Sequence, residues 1–483
     1  MMEHQLRGSF TAGFRRLSTV ALSLACVASL SVGSVTAAVP QPVEDDAFMP
    51  VVLNSKCYAL KAKTPFAMAI YGGSGAETPN FKYMEETGAT WYRNEVDWAS
   101  VEPVNVAPSQ YDWSAPDAIA GAARDGCYHL VFTHLRAPAW AATHTESEID
   151  KVGLEEFQEY IGALVERYDG DGINDAPGSP VVNYFEFYNE PDAGNTVPRW
   201  GHIGDKYAEM LKVVYPVIKA ANPNAQVVLG GIAYDFFEED GGPFVRSFLD
   251  DVLDAGGGDY FDVMNFHQYP AFAERWAGRK RVPGLLEKTI AVRKKLTDRG
   301  LNKPIIITET GWHNNTIPGK PDLSGNDRVQ SRYIVELFAQ SIAADVQMTT
   351  YWTLFDLPPT YEYEIGLADI DGVRKPAFFV YQRAAQEMGN LQYVRTLPQS
   401  ETGNRDLEAY EFRDLARGNQ RLFVAWVNPV DSTQTLPLTI TANEVTVRTM
   451  NGDLTTVRDN ADGRTDGRVR ISVTDPVYIR VIS

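Results

Sequence analysis

The chain has 483 residues, room for two or three domains, and its 11% aromatic content, with nine Trp and 23 Tyr, excludes a disordered protein. Lys and Arg number 44 against 63 Asp and Glu, a formal net charge of −19 that argues against a nucleic-acid or anionic-lipid binder, which needs clustered basic charge. Three cysteines are too few for a small disulfide scaffold.

At the start of the chain, Arg7, Arg15 and Arg16 precede an apolar, small-residue stretch from Leu17 to Val35, which ends at Thr36-Ala37-Ala38. That order predicts a signal peptide over residues 1–38 and a secreted or periplasmic mature protein, with an uncleaved anchor as the alternative. No later run of about 20 apolar residues follows, so no membrane contact is expected after cleavage. Residues 39–59, rich in Pro, Asp and Glu, read as an N-terminal linker. Cys57 and Cys127 remain after cleavage and either pair or sit as small buried apolar side chains.

From Pro65 onward, short apolar runs alternate with helical patterns. The strand-like runs are 66–71, 90–93, 128–133, 182–188, 226–230, 261–266, 304–308 and 348–352. Apolar residues at helical spacing fill 154–168, 207–220, 244–253, 285–296 and 329–344. Eight strand–helix units predict a (β/α)8 TIM barrel over residues 60–390, about 330 residues, within the range of barrels that carry insertions. A doubly wound open sheet is the runner-up, weakened because no G-x-G-x-x-G turn follows the first strand. After Gly389 the pattern changes to short alternating runs at 407–412, 421–427, 435–440, 444–449, 468–473 and 477–481, separated by turns such as Asn451-Gly452-Asp453. Residues 391–483 therefore predict a small antiparallel β-sandwich, read as a structural lid on the barrel rather than a glycan-binding module.

In a barrel the chemistry comes from the C-terminal ends of several strands. The fourth run ends Tyr188-Asn189-Glu190-Pro191 and the seventh Thr308-Glu309-Thr310-Gly311-Trp312. Carboxylates at the ends of two separate strands are what glycoside hydrolysis requires: one protonates the leaving oxygen, and the other attacks or activates water. Asn-Glu-Pro by itself also suits a helix start. Nucleophile motifs of the G-x-S-x-G kind and the H-E-x-x-H zinc spacing are missing from the sequence.

Asn189-Glu190-Pro191 and Glu309-Thr310-Gly311-Trp312 resemble the clan A glycoside hydrolases, retaining barrel enzymes, most closely those of family 39 or family 5 type. The resemblance spans the whole barrel. It implies Glu190 as acid/base, Glu309 as nucleophile, Asn189 near the sugar 2-hydroxyl, and Arg93 orienting the nucleophile and keeping it ionised. His267 and Tyr269, in Asn265-Phe266-His267-Gln268-Tyr269, match the clan's His-x-Tyr, and Trp352 its subsite floor, with barrel filling as the alternative for Trp352. His134 and Trp312 are further substrate-binding candidates, with packing roles as their alternatives. Trp98, Trp140, Trp200 and Trp276 either line subsites or pack loops. Glu186 is read as an inward structural partner for Arg93, and Glu95 and Asp97 as lesser rivals of the two glutamates.

No cofactor is expected. Asp169, Asp171 and Asp175, in an Asp/Gly-rich turn, form a weak calcium candidate, against a plain polar turn. The expected function is a secreted β-glycosidase, working by double displacement as the resemblance implies, that acts as a monomer on a polysaccharide or oligosaccharide. The alternatives are an inactive carbohydrate-binding barrel and a transglycosylase.

Overall fold

The computed structural model describes residues 60–71, 81–234, 242–277, 284–317 and 325–482. The signal-peptide and linker expectations fall outside them. Eight parallel strands, β1 (Phe66–Ala69), β2 (Trp91–Asp97), β3 (His129–Leu135), β4 (Tyr184–Asn189), β5 (Gln226–Gly231), β6 (Met264–Gln268), β7 (Ile305–Thr310) and β8 (Val346–Tyr351), pair in the order β5-β4-β3-β2-β1-β8-β7-β6. The bridges Val228↔Val263 and Ile232↔Phe266 join β5 to β6 and close the barrel. A helix follows each strand: Phe81–Thr87, Ser114–Asp125, Leu154–Arg167, Gly204–Ala221, Phe248–Asp254, Leu285–Thr297, Asp327–Ala343 and Pro376–Met388. No described helix is long and apolar enough to cross a membrane.

The strands are apolar on both faces because both are covered. Outward residues such as Phe132, Phe185 and Leu229 pack under the helices. Inward residues Ala67, Trp91, Val131, Val228, Val263, Ile306 and Met348 form a separate apolar cluster inside the barrel. Cys127 is disulfide-bonded, with its partner outside the described residues, and its carbonyl accepts from Lys61 N at 2.9 Å.

The C-terminal strands β9 (Leu391–Thr396), β10 (Leu407–Asp414), β11 (Gln420–Val427), β12 (Leu436–Thr441), β13 (Glu444–Thr449), β14 (Leu454–Arg458), β15 (Arg468–Val473) and β16 (Val477–Ile482) form a six-stranded antiparallel sheet, ordered β14-β13-β16-β11-β10-β9, and the pair β12-β15. Strand alternation divides the large sheet. Ala409, Phe423, Ala425 and Ile479 meet Leu438, Ile440 and Ile471 of the small one. Tyr410, Phe412, Val424, Trp426 and Tyr478 join the barrel's own core cluster. The fully buried Arg332 of helix Asp327–Ala343 bonds the carbonyls of Val427 and Ser432 at 2.5 and 2.8 Å and Asp475 at 3.2 Å. Barrel and sandwich thus form one compact unit.

Candidate active site

Above the apolar cluster the inward positions turn polar. Glu186 of β4 is fully buried. It accepts from Arg93 Nε at 2.9 Å, Thr133 Oγ1 at 2.6 Å, Thr308 Oγ1 at 2.8 Å, Asn265 Nδ2 at 2.8 Å and Gly231 N at 3.2 Å. Burial works against its charge, but Arg93, His267 and Thr133 hold its carboxyl below the ordinary range. Arg93 is equally buried. It donates onward through Nη1 to Glu309 Oε1 at 3.3 Å and through Nη2 to Asn189 Oδ1 at 2.8 Å. One cation therefore links the structural Glu186 to both strand-end motifs.

Glu309 takes its second donor from Tyr269, whose hydroxyl lies 3.1 Å from Oε2. His267 stands between the glutamates, with Nδ1 3.2 Å from Glu190 Oε1 and 3.4 Å from Glu309 Oε2. One oxygen of each glutamate and a ring nitrogen of His267 all lie within 4.8 Å of one another. The ring fits because β5 ends in glycine: a Cβ on Gly231 would stand 2.2 Å from His267 Nε2. Tyr188 and Glu190 are non-glycine residues in the left-handed region, at φ 66° and 47°. Such backbone costs on the order of 1–3 kcal/mol per residue and is characteristic of functional sites.

The hydrogen bonds constrain the protons. The Thr308 hydroxyl hydrogen goes to the Glu186 carboxylate, so Thr308 Oγ1 accepts from His267 Nε2 at 3.1 Å. The His267 ring, hydrogen-bonded to Glu190, and Arg199 hold the Glu190 carboxyl below the ordinary range against burial. Burial, reinforced by Glu190 and Glu95 and opposed by His267 and Arg93, then pushes Glu309 up to about 7.

This triad is also a conceivable metal set, but the Arg93 cation already occupies one Glu309 oxygen and repels a second cation. Asp169, Asp171 and Asp175 converge within 4.8 Å as well. There the turn's own N–H groups use their oxygens: Asp171 N to Asp169 at 3.0 Å, Ile173 N to Asp171 at 2.8 Å and Gly172 N to Asp175 at 3.1 Å.

Of the expected site residues, Arg93, Asn189, Glu190, His267, Tyr269 and Glu309 come together. Trp352 is partly exposed beside Tyr71 and Tyr361, at ring separations of 6.1 and 5.8 Å. Two others lie elsewhere. Thr133 faces inward, so its neighbour His134 faces the helix layer, 4.8 Å from the Phe157 ring and 5.3 Å from Tyr188. There burial drives the imidazole down to about 3, which corrects the substrate-binding expectation. Trp312, beyond Gly311, turns to Tyr333 on helix Asp327–Ala343, 5.3 Å between rings, and is buried. Trp98 and Trp200 are also buried in packing, Trp140 donates to the Glu102 carbonyl at 3.0 Å, and the Trp276 side chain is outside the described set.

Sequence reasoning missed Tyr71 and Tyr361. Tyr71 donates to Glu95 Oε1 at 2.9 Å. Tyr361 has its phenol raised by burial and then by the charge of Glu309, so it stands beside that carboxylate. It also missed an ionic rim: Arg136 with Asp97 at 3.1 Å and Glu146 at 3.7 Å, and Arg199 with Glu146 at 2.7 Å and Glu190 at 3.9 Å. Tyr71 follows β1 directly, so the strand-end rule contains its signal; the rim is visible only in three dimensions.

Residues 71–354, which include both glutamates, match the family Cellulase (glycosyl hydrolase family 5). A family 39 glycoside hydrolase from the gut symbiont Bacteroides cellulosilyticus WH2 is similar in structure, with TM-score 0.63 and 18% identity over 86% of this chain and 81% of that one. A GH30 endoxylanase from Clostridium papyrosolvens C71 has TM-score 0.56 and 14% identity over 88% and 98%. A monomeric β-xylosidase from Caulobacter crescentus CB15 has TM-score 0.55 and 17% identity over 89% and 98%. No curated protein matched by sequence. At these identities the structures share the fold, whereas the family match covers more than half of the chain: the protein belongs to the cellulase family, glycosyl hydrolase family 5.

Proposed function

We propose that this glycoside hydrolase is exported and cleaves β-linked polysaccharides or oligosaccharides with retention of configuration. Glu309 attacks the anomeric carbon while Glu190 gives its proton to the departing glycosidic oxygen, and the bond to that oxygen breaks as the bond to Glu309 forms. Glu190, now ionised, takes a proton from water. The water oxygen attacks the same carbon, and Glu309 leaves as a carboxylate. The pair thus carries one proton, on Glu190, before and after each turnover and none in the glycosyl-enzyme.

The observation that carries this reading is the short distance between the acid groups, within 4.8 Å oxygen to oxygen. Retaining sites hold their carboxyls about 5–5.5 Å apart, and inverting sites hold them about 6.5–9.5 Å apart to admit a water. Arg93 and Tyr269 on Glu309 support its role as the ionised nucleophile. In this reading Asn189, held by Arg93, meets the sugar 2-hydroxyl, and the aromatic faces of Trp352, Tyr71 and Tyr361 suit the apolar face of a pyranose. Export rests on the arginine-led apolar leader, and sequencing the N-terminus of protein from the culture or periplasmic fraction checks it: residue 39 or nearby is expected.

Digestion of cello-, xylo- and manno-oligosaccharides, followed by proton NMR before mutarotation, tests the reaction. The β-anomer should appear first; the α-anomer first would contradict retention.

A further inference from the structure

A cavity of about 660 Å3 lies on the flank of the barrel, where β6, β7 and helix Asp327–Ala343 meet the sandwich. Its wall includes Gln268, Leu286, Trp312 and Glu336 from the barrel, and Gln399 and Glu408 from the sandwich. Neither catalytic-site glutamate borders it. Gln268 is 1% exposed, and neither Nε2 nor Oε1 of its side chain has a hydrogen-bond partner. A buried amide left unmet costs on the order of 1–3 kcal/mol for each group, so an orphan opening on a cavity points to an occupant.

We propose that this seam is a second binding site, for a neutral oligosaccharide, anchored on Gln268 and separate from the catalytic cleft. The volume falls in the range of small-ligand sites, about 300–1,000 Å3. Gln268 needs a donor and an acceptor together, and a sugar hydroxyl is both. Glu408 and Glu287 on the wall disfavour phosphate, uronate or any other anion. A metal ion is disfavoured, because among the described residues only two acidic groups converge tightly enough to hold one, and neither includes a residue of this cavity. Burial lifts Glu336 to about 8 against the Arg332 guanidinium paired with it at 3.5 Å, and the charge of Glu408 adds to the rise. Glu408 is already engaged by Gln340 at 3.1 Å, by Asn428 at 2.6 Å and by Tyr410. That leaves Gln268 as the group that reads the ligand, with Leu286 supplying carbon surface.

The site goes beyond the catalytic reading and does not depend on the roles of the two glutamates. Water is the competing occupant. The test is calorimetry on Glu309→Gln, which holds sugars uncut, with cello-, xylo- and manno-oligosaccharides. Two binding events per chain are expected. Gln399→Trp at the exposed rim and Gln268→Leu at the floor should each weaken one event by at least about tenfold and leave the other unchanged. Gln268→Leu should not lower the melting temperature, since it removes an unmet amide. A single event on every sugar, or two that neither substitution moves, assigns the cavity to water and overturns the proposal. Hydrolysis of the same sugars by the wild-type enzyme is read in parallel. A cleaving enzyme with one binding event defeats the seam alone, and an enzyme that cleaves nothing defeats the catalytic reading alone.

Discussion

The inward side chains of the barrel form two storeys, two residues apart on the same strands. Trp91, Val131, Val228, Val263, Ile306 and Met348 make the lower one, an apolar and buried cluster. Two positions further along, β2 offers Arg93, β3 Thr133, β4 Glu186, β6 Asn265 and β7 Thr308, equally buried and joined in one hydrogen-bonded net. On β2, β3 and β4 both storeys sit in one regular register, so their difference there lies in the side chains alone. The lower storey stabilises by removing carbon from water. The upper one buries charge, a poor source of stability but a rigid frame for the glutamates. Substitutions should therefore separate the storeys by what they damage.

The largest effect is expected at Glu186. Glu186→Ala leaves Arg93 buried without its main partner and should cost about 3–5 kcal/mol in denaturant unfolding, with activity lost. A loss below about 1 kcal/mol would show that the net does not depend on it. Next, Thr308→Val removes the hydroxyl that links Glu186 to His267. A fall in kcat of about 10–100-fold is expected with KM little changed, because the site loses the group that fixes the His267 tautomer. Directly beneath, Ile306→Val should cost about 1 kcal/mol of stability and leave kcat/KM unchanged, which inverts the Thr308 pattern. Equal kinetic effects at 306 and 308 would remove the distinction between storeys.

The pH profile offers a subtler test. Burial and the charge of Glu190 raise Glu309, so the acid limb should lie above the ordinary carboxyl range, toward 7. Glu190→Gln removes a charge that raises Glu309. Glu309 then stays ionised to lower pH, and the acid limb, measured on an activated aryl glycoside, should move down. An unmoved or rising limb would contradict the coupling.

The storeys also mark how far the sequence could be read. The eight strands and the two strand-end glutamates are visible because carboxylates stand out against Val- and Ile-rich runs. The facing of each residue is less visible. In His129-Leu-Val-Phe-Thr-His-Leu both faces are covered and apolar, no period of two survives, and a one-residue error turned His134 inward when it packs against Phe157. Trp312 was misplaced because a Gly311 turn follows β7 and redirects the chain. Strands β9 and β14 escaped notice because they are the edges of their sheet, half or more exposed and too polar to stand out. Gln268, between two expected site residues, gave no sign in sequence that its side chain opens on the opposite side from theirs.

The central claim is the division of labour between Glu190 and Glu309, and it is tested most directly by azide rescue of their alanine variants on an aryl β-glycoside with a good leaving group. Glu190→Ala should still form the glycosyl-enzyme, because such a leaving group needs little protonation. Breakdown should then be slow until azide, which needs no general base, accelerates it and gives the β-glycosyl azide. Glu309→Ala should form no covalent intermediate and give at most the α-azide. A β-azide from Glu309→Ala with none from Glu190→Ala would reverse the two roles, and near wild-type turnover in either variant would remove that residue from the reaction.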